Sequence, residues 1–113
     1  MAQSPCPGIR ENERSNFSRV IDHAAGLASA GRLPESHSCF SLAFRIASGD
    51  EEQAVALFNI AVILKDLKRL DEALSTMNQI QPVHARRWPA ASHLRAVILQ
   101  RMGRVQEAVS AFG

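Results

Sequence analysis

The side chains that could perform chemistry are few and lie far apart in the chain. Four histidines and two cysteines are scattered over 113 residues. Among the histidines and cysteines, His37 and Cys39 are closest in sequence, and at a spacing of two on a helix their side chains point to different faces. The sequence contains no glycine-rich phosphate loop, nucleophile motif or paired-carboxylate arrangement. We therefore expect no enzymatic activity, no metal site and no cofactor, so the function should rest on binding.

A six-residue sequence motif that occurs three times, here called the repeated phrase, is more informative than these side chains. Each copy has a turn residue, an arginine, an apolar residue, a variable residue, a glutamate and a small residue. The copies are residues 31–36, 68–73 and 103–108. Their spacing of about 37 and then about 35 residues is typical of helical-hairpin repeats. Because one hairpin cannot bury its apolar face alone and must stack on a neighbour, the sequence predicts an all-α fold of stacked hairpins.

Each position of the phrase has a role at the junction between two helices. Gly31 and Gly103 can take the left-handed conformation that ends a helix, and Lys68 replaces glycine in the middle copy at some cost. The glutamate lies in the first turn of the next helix, where its charge favours the positive end of the helix dipole. Upstream, a small residue and a leucine mark the packed face of each first helix: Ala24 and Leu27, Ala61 and Leu64, and Ala96 and Leu99.

With this phrase and this register, the chain resembles the tetratricopeptide repeat (TPR) family over residues 17–112. The resemblance implies an α-α superhelix of about six helices in about three hairpin units, near residues 17–53, 54–88 and 89–113, the last of them truncated. A polar leader over residues 1–15 should be disordered. The chain departs from the family pattern because it lacks a tryptophan or tyrosine at the early large positions and a glycine at position 68. Another α-solenoid is the structural alternative.

Proline, glycine and acidic residues predict the helix boundaries. The expected helices cover residues 16–30, 34–48, 50–67, 71–80 and 89–102, with a connector over 81–87. A sixth helix should begin near Val105 and have room for only about two turns. Because solenoids usually need a polar capping helix, Val105, Val109 and Phe112 would form an exposed apolar C-terminal edge. Three explanations stay open: the protein continues beyond Gly113, it self-associates through this edge, or a partner covers the edge.

The resemblance to TPR proteins also implies a concave groove, lined by the first helix of each hairpin. Counting back from each turn gives the candidate groove residues Asp22, Phe58, Asn59, Val62, Lys65, His93, Val97 and Arg101. The lining is apolar in the middle and basic at one edge, which suits a peptide or helix with apolar anchors and an acidic group. Asn59 stands where family members use an asparagine to hold a peptide backbone. The competing interpretation is that the apolar members of the set are core between repeats.

These features together predict a protein–protein interaction scaffold that binds a peptide or helix, an acidic partner being one option. The alternatives are an N-terminal adaptor module of a larger enzyme and a small secretion-type chaperone for an aggregation-prone partner. Nucleic-acid binding is the rival from another class, because Arg86 and Arg87 could contact a phosphate backbone while Trp88 stacks on a base. Solvated helix faces are commonly basic, however, and Trp88 beside Pro89 also suits a plug between two repeat units. A protein partner is therefore favoured.

Composition narrows the class of protein further. Hydrophobic residues make up 46% of the chain and the formal net charge is +2, which fits one helical domain with a modest core. No run of about eighteen apolar residues occurs, so we expect no membrane span. Residues 1–16 lack the apolar segment of a secretory signal. Two cysteines, Cys6 and Cys39, are too few for a disulfide framework, and a reduced, cytoplasmic protein is the expectation.

Overall fold

The computed structural model describes residues 6–103, which form six α-helices and one 3-10 turn, without a β-strand. The 3-10 turn covers Glu11–Glu13. The helices are α1 (Phe17–Ser29), α2 (Leu33–Ile46), α3 (Asp50–Asp66), α4 (Leu70–Met77), α5 (Pro82–Arg86) and α6 (Pro89–Arg101). This architecture confirms the predicted all-α class. Within residues 6–103, none of the helices has the length and apolar character needed to cross a membrane.

The helix positions agree with the sequence patterns for α1 to α4 and for α6, and they differ at one segment. The patterns predict a connector over residues 81–87, but this segment contains the short helix α5, which begins at Pro82. Proline is tolerated at the first helical position because the amide there has no intrahelical partner to lose, so here it begins a helix. The sixth hairpin helix predicted from Val105 lies outside the described residues.

The turns that follow α1, α3 and α6 share one backbone geometry. All three turn residues have positive φ: Gly31 at 79°, Lys68 at 66° and Gly103 at 78°. In the first two turns, the next amide donates to the carbonyl five positions earlier, at 2.9 Å from Arg32 to Leu27 and at 2.8 Å from Arg69 to Leu64. This bond is the mark of a helix end closed by a left-handed residue. The repeated phrase therefore corresponds to a repeated helix end.

The helices pack on one another in chain order, with small residues in the core. α1 packs on α2, α2 on α3, α3 on α4, and α4 on α6, while α5 lies against α6. The first helices of successive hairpins also touch, since α1 contacts α3 and α3 contacts α6. Ala24, Ser36, Ala61 and Ala73 are fully buried. The Ser36 hydroxyl donates to the Ala24 carbonyl at 2.8 Å, which ties α2 directly to α1.

The segment before α1 folds back onto the first hairpin. Cys6 is fully buried and forms a disulfide bond with Cys39 of α2, with the two Cα atoms 4.3 Å apart. Nearby, Nε2 of His23 lies 2.8 Å from the carbonyl oxygen of Pro7. The expectation of two reduced cysteines is therefore wrong for this structure, and residues 6–15 follow a defined path where disorder was predicted. Both expectations came from local patterns, whereas this contact joins positions 33 residues apart.

Candidate binding surface

One face of α3 carries a row of half-buried side chains, here called the α3 stripe. Val55, Phe58, Asn59, Val62 and Lys65 recur at intervals of one, three or four residues, and such positions share one face of a helix. The remaining faces of α3 are covered, because α1, α2, α4 and α6 all contact this helix. The α3 stripe is partly open to solvent and contains four of the predicted groove residues: Phe58, Asn59, Val62 and Lys65.

An aromatic pair lies at the start of the stripe. The ring centroids of Phe58 and Trp88 are 4.4 Å apart with the planes tilted by 36°. Trp88 immediately precedes α6, so the pair joins the second hairpin to the third helical unit. With Val55, His84 and other residues, Trp88 also lines a cleft of about 170 Å³. The indole is therefore half-buried against Phe58, as a plug between units would be, and this packing counts against its use as a platform for a base.

A basic cleft lies at the opposite end of the stripe. Lys65, Lys68, Leu70 and Arg101 line a space of about 380 Å³. Lys65 belongs to the last turn of α3 and Arg101 to the last turn of α6, where cations offset the negative ends of the helix dipoles. Asp66 neutralises part of this charge, since its carboxylate lies 3.5 Å from the Lys65 amine. The structure thus brings Lys65 and Arg101 together, and the cleft keeps a positive balance.

Asn59 is occupied within its own helix. Its side-chain Nδ2 donates to the carbonyl oxygen of Val55 at 2.9 Å. The amide therefore lies along the α3 stripe, close to the cleft that Val55 lines with Trp88. A peptide that used Asn59 would contact an amide already oriented by the helix, so the predicted backbone-holding role stays a prediction.

The other predicted groove residues are less closely linked. Asp22 is exposed on α1, His93 is exposed on α6, and Val97 is half-buried on α6. The clefts described above are lined from α3 onward and do not include Asp22. The predicted apolar edge of Val105, Val109 and Phe112 lies outside the described residues. The structure therefore supports a surface on α3 and its neighbours more directly than a groove spanning all three units.

An ion pair at the beginning of α4 acts electrostatically on His37 of α2. Arg69 donates two hydrogen bonds to the Glu72 carboxylate, at 2.8 and 2.6 Å, and the first of these interactions lowers the pKa of Glu72. Half-burial on α2 lowers the pKa of His37, and the nearby Arg69 charge lowers it further, against an opposing effect of Glu72. His37 is therefore held toward its neutral form beside the beginning of α4.

One cluster of side chains that could bind a metal ion was not predicted from the sequence. Cys6, His23 and Cys39 each offer a ligand atom, and these atoms all lie within 4.8 Å of one another. Cys6 was placed in a disordered leader, so only His37 was considered beside Cys39. One signal was present: His23 lies three positions after Val20 and four before Leu27, both buried, so it shares the core face of α1.

Comparisons with known proteins do not indicate a function for this chain, so its function is inferred from the geometry described above. No protein-family model matches it, and no curated protein or solved structure is significantly similar to it. The TPR resemblance therefore rests on the repeated phrase and on the register of small residues. The surface features available for binding are the α3 stripe and the basic cleft.

Proposed function

We propose that this chain is a protein-interaction scaffold that binds an acidic peptide or helix along α3 and α6, without chemistry of its own. The observation that carries the proposal is the position of the basic cleft, which lies at the end of the half-buried α3 stripe. Apolar anchors beside a localised charge are the usual requirements of a peptide-binding groove, since burial supplies affinity and the charge fixes direction.

The spacing along α3 defines the ligand. Phe58 and Lys65 are seven residues apart, which corresponds to about 10 Å along a helix. A matching helical ligand would place an acidic residue two turns from an apolar anchor. A matching extended peptide would place the acidic residue about three positions from the anchor, at about 3.3 Å per residue. The proposed partner is therefore a protein segment with one apolar anchor and one carboxylate at this separation.

The proposal includes the TPR-type superhelix. Two observations support that arrangement: the same helix end recurs at Gly31, Lys68 and Gly103, and α3 contacts both α1 and α6. Within this class, an adaptor module of a larger enzyme and a small secretion-type chaperone use the same surface and differ in what the partner is. We propose the cytoplasm as the location.

The test uses two fluorescent peptides of one composition, measured by polarisation at low and physiological salt. One peptide places glutamate two helical turns from a phenylalanine anchor, and its partner carries lysine in place of the glutamate. We expect the acidic peptide to bind more tightly, and Arg101→Glu or Lys65→Glu to weaken it about tenfold, which is about 1.4 kcal/mol. Arg45→Glu is the matched control, since Arg45 is exposed on α2, away from the cleft. Equal binding of both peptides, or equal losses in all three variants, would refute the proposal.

A further inference from the structure

The cluster of Cys6, His23 and Cys39 has a use that the binding surface does not explain. Its ligand atoms come from three separate segments, the leader, α1 and α2, yet they lie within 4.8 Å of one another. Both cysteines are fully buried and His23 is half-buried. Two thiolates and one imidazole are ligands that zinc prefers, and three protein ligands leave the fourth tetrahedral position open.

Two of the three side chains are held in place by the first hairpin. Ser36 lies one helical turn before Cys39, and its hydroxyl donates to the carbonyl of Ala24, the residue after His23. This bond fixes α2 against α1 beside both side chains. Cys6 lies at the start of the described leader. Only its side chain needs to move when the disulfide is reduced to two thiols.

The hydrogen bond of His23 prepares its ring for coordination. The carbonyl oxygen of Pro7 can only accept, so Nε2 of His23 donates across the 2.8 Å contact. In the neutral ring the other nitrogen, Nδ1, then carries the lone pair. Metal-bound histidines commonly hold their second ring nitrogen against a backbone carbonyl in this way, which sets the tautomer and the ring orientation.

We propose that the reduced chain binds one zinc ion through Cys6, His23 and Cys39. A disulfide oxidant, itself reduced to two thiols, would convert the two thiolates to the Cys6–Cys39 disulfide and so release the ion. A dithiol reductant supplies two electrons and two protons to the disulfide, giving two thiols, and is itself oxidised to a disulfide. Zinc then displaces one proton from each thiol. The sulfur atoms separate to about 3.8 Å, the distance between two thiolates on one tetrahedral zinc.

The sequence predicts no metal site, whereas this proposal assigns a zinc site whose occupancy depends on the redox state of the two cysteines. In both states a link joins residue 6 to α2: a covalent bond when the chain is oxidised and a shared zinc ion when it is reduced. The leader thus stays on the first hairpin across a change of redox environment. The inference stands independently of the proposed peptide surface, which is built from α3 and α6.

The test is a cobalt titration of the full chain, because Co²⁺ reports its ligands by absorbance and occupies zinc sites. The chain is reduced under nitrogen with a water-soluble phosphine, which becomes the phosphine oxide with oxygen from water. We expect one equivalent of Co²⁺ to produce thiolate-to-cobalt charge-transfer absorption and the visible bands of tetrahedral cobalt. Zinc should abolish both signals, and the oxidised chain should give neither.

His23→Gln is the decisive variant because it keeps both cysteines. We expect it to raise the dissociation constant for Co²⁺ at least about tenfold. His37→Gln is the matched control, since His37 lies two positions from Cys39 but outside the cluster, and its affinity should equal that of the unmodified chain. Circular dichroism checks that each reduced variant stays helical. A second readout is the thermal midpoint, which zinc should raise for the unmodified reduced chain and not for His23→Gln.

Three results would overturn the proposal. The first is a reduced chain that gives no charge-transfer band. The second is a His23→Gln variant that binds Co²⁺ as tightly as the unmodified chain, which would show that the two thiolates bind without the imidazole. The third is a reduced chain that loses its helices both with and without zinc.

Discussion

The first and second hairpins are built on one backbone plan but carry different chemistry. Positions 37 residues apart correspond, so Gly31 matches Lys68 and Ala24 matches Ala61. At the positions of His23 and Cys39 in the first hairpin, the second hairpin has the buried residues Ile60 and Thr76, which are 9% and 8% exposed. The first hairpin therefore holds a candidate ligand cluster at positions where the second hairpin holds side chains of the core.

The difference shows which positions of a repeat are needed for packing and which are free to take another role. Close packing needs only small residues at the contacts between helices and a left-handed residue at the turn, and both hairpins have these. The remaining positions are free to differ. The first hairpin uses them to hold the leader, and the second uses its outer face for the α3 stripe and the basic cleft. Substitutions at corresponding positions should therefore distinguish the packing that both hairpins share from the features that belong to one hairpin.

The largest expected effect belongs to the first hairpin alone. Reduction of the Cys6–Cys39 disulfide, with a chelator present to remove metals, should lower the free energy of unfolding by about 3.7 kcal/mol. This value follows from the chain entropy released when a loop of this length is opened. Urea unfolding of the oxidised and reduced chains measures the difference. The Cys6→Ser variant is the control, because reductant should not shift its transition. Equal stability of the oxidised and reduced chains would contradict the expectation.

Matched leucines test whether the packing of the two hairpins is equivalent. Leu27 and Leu64 are 9% and 3% exposed at corresponding positions. Truncation of either to alanine should cost about 3 kcal/mol, through lost burial and the cavity that remains. Urea unfolding gives both values, and Val83→Ala, at a side chain that is 49% exposed, should cost less than about 0.5 kcal/mol. A large cost at one leucine and none at the other would break the equivalence.

The two turns should respond in opposite directions. Gly31→Ala should destabilise the protein by about 1 kcal/mol, because alanine is strained at positive φ, although its Cβ would contact nothing within 4 Å. Lys68→Gly should stabilise it by about 0.5 kcal/mol, since relief of that strain exceeds the added flexibility of the unfolded chain. Thermal or urea unfolding measures both. If Lys68→Gly is destabilising, the lysine side chain contributes more than its backbone strain costs.

The smallest expected effect is a dependence on pH. Burial and Arg69 lower the pKa of His37, so the unfolded chain takes up a proton more readily than the folded chain. The stability contributed by neutral His37 is complete above its ordinary pKa of about 6.5 and is lost as the pH falls toward its lower folded value. The matching residue in the second hairpin is Leu74.

The measurement is urea unfolding between about pH 7.5 and pH 5.5. His37→Leu should flatten the decline in stability relative to the unmodified chain. Val83→Ala, on α5, removes no titratable group and is the control, so it should leave the decline unchanged. Parallel curves for His37→Leu and the unmodified chain would show that this histidine does not set the pH dependence.

The sequence was sufficient for features that depend on neighbouring residues. The turn at Lys68 and the buried positions of Ala24 and Ala61 followed from the repeated phrase, because helix ends and packed faces repeat with the local pattern. The approach of Lys65 to Arg101 was also expected from their register on successive first helices. Helix α5 was missed because residues 81–87 were predicted to be a connector, whereas Pro82 begins a helix there.

The sequence was insufficient for features that depend on distant residues. Cys6 meets Cys39 only because the leader folds across the first hairpin, and no periodic pattern reports such a path. Phe58 was expected in the groove, but its contact with Trp88 depends on how the segment after α5 returns to α3. The candidate ligand cluster and the aromatic pair were therefore visible only once the tertiary contacts were known.

The bond between Cys6 and Cys39 also determines how the protein would bear tension. It closes a covalent ring over residues 6–39, which contains α1, its turn and the first half of α2. A force applied at the N-terminus would pass directly from residue 6 to residue 39 and bypass α1. Stretching the oxidised chain would therefore extend the rest of α2 and the later helices. The residues inside the disulfide-closed ring would not be extended. Reduction would add those residues to the extensible length.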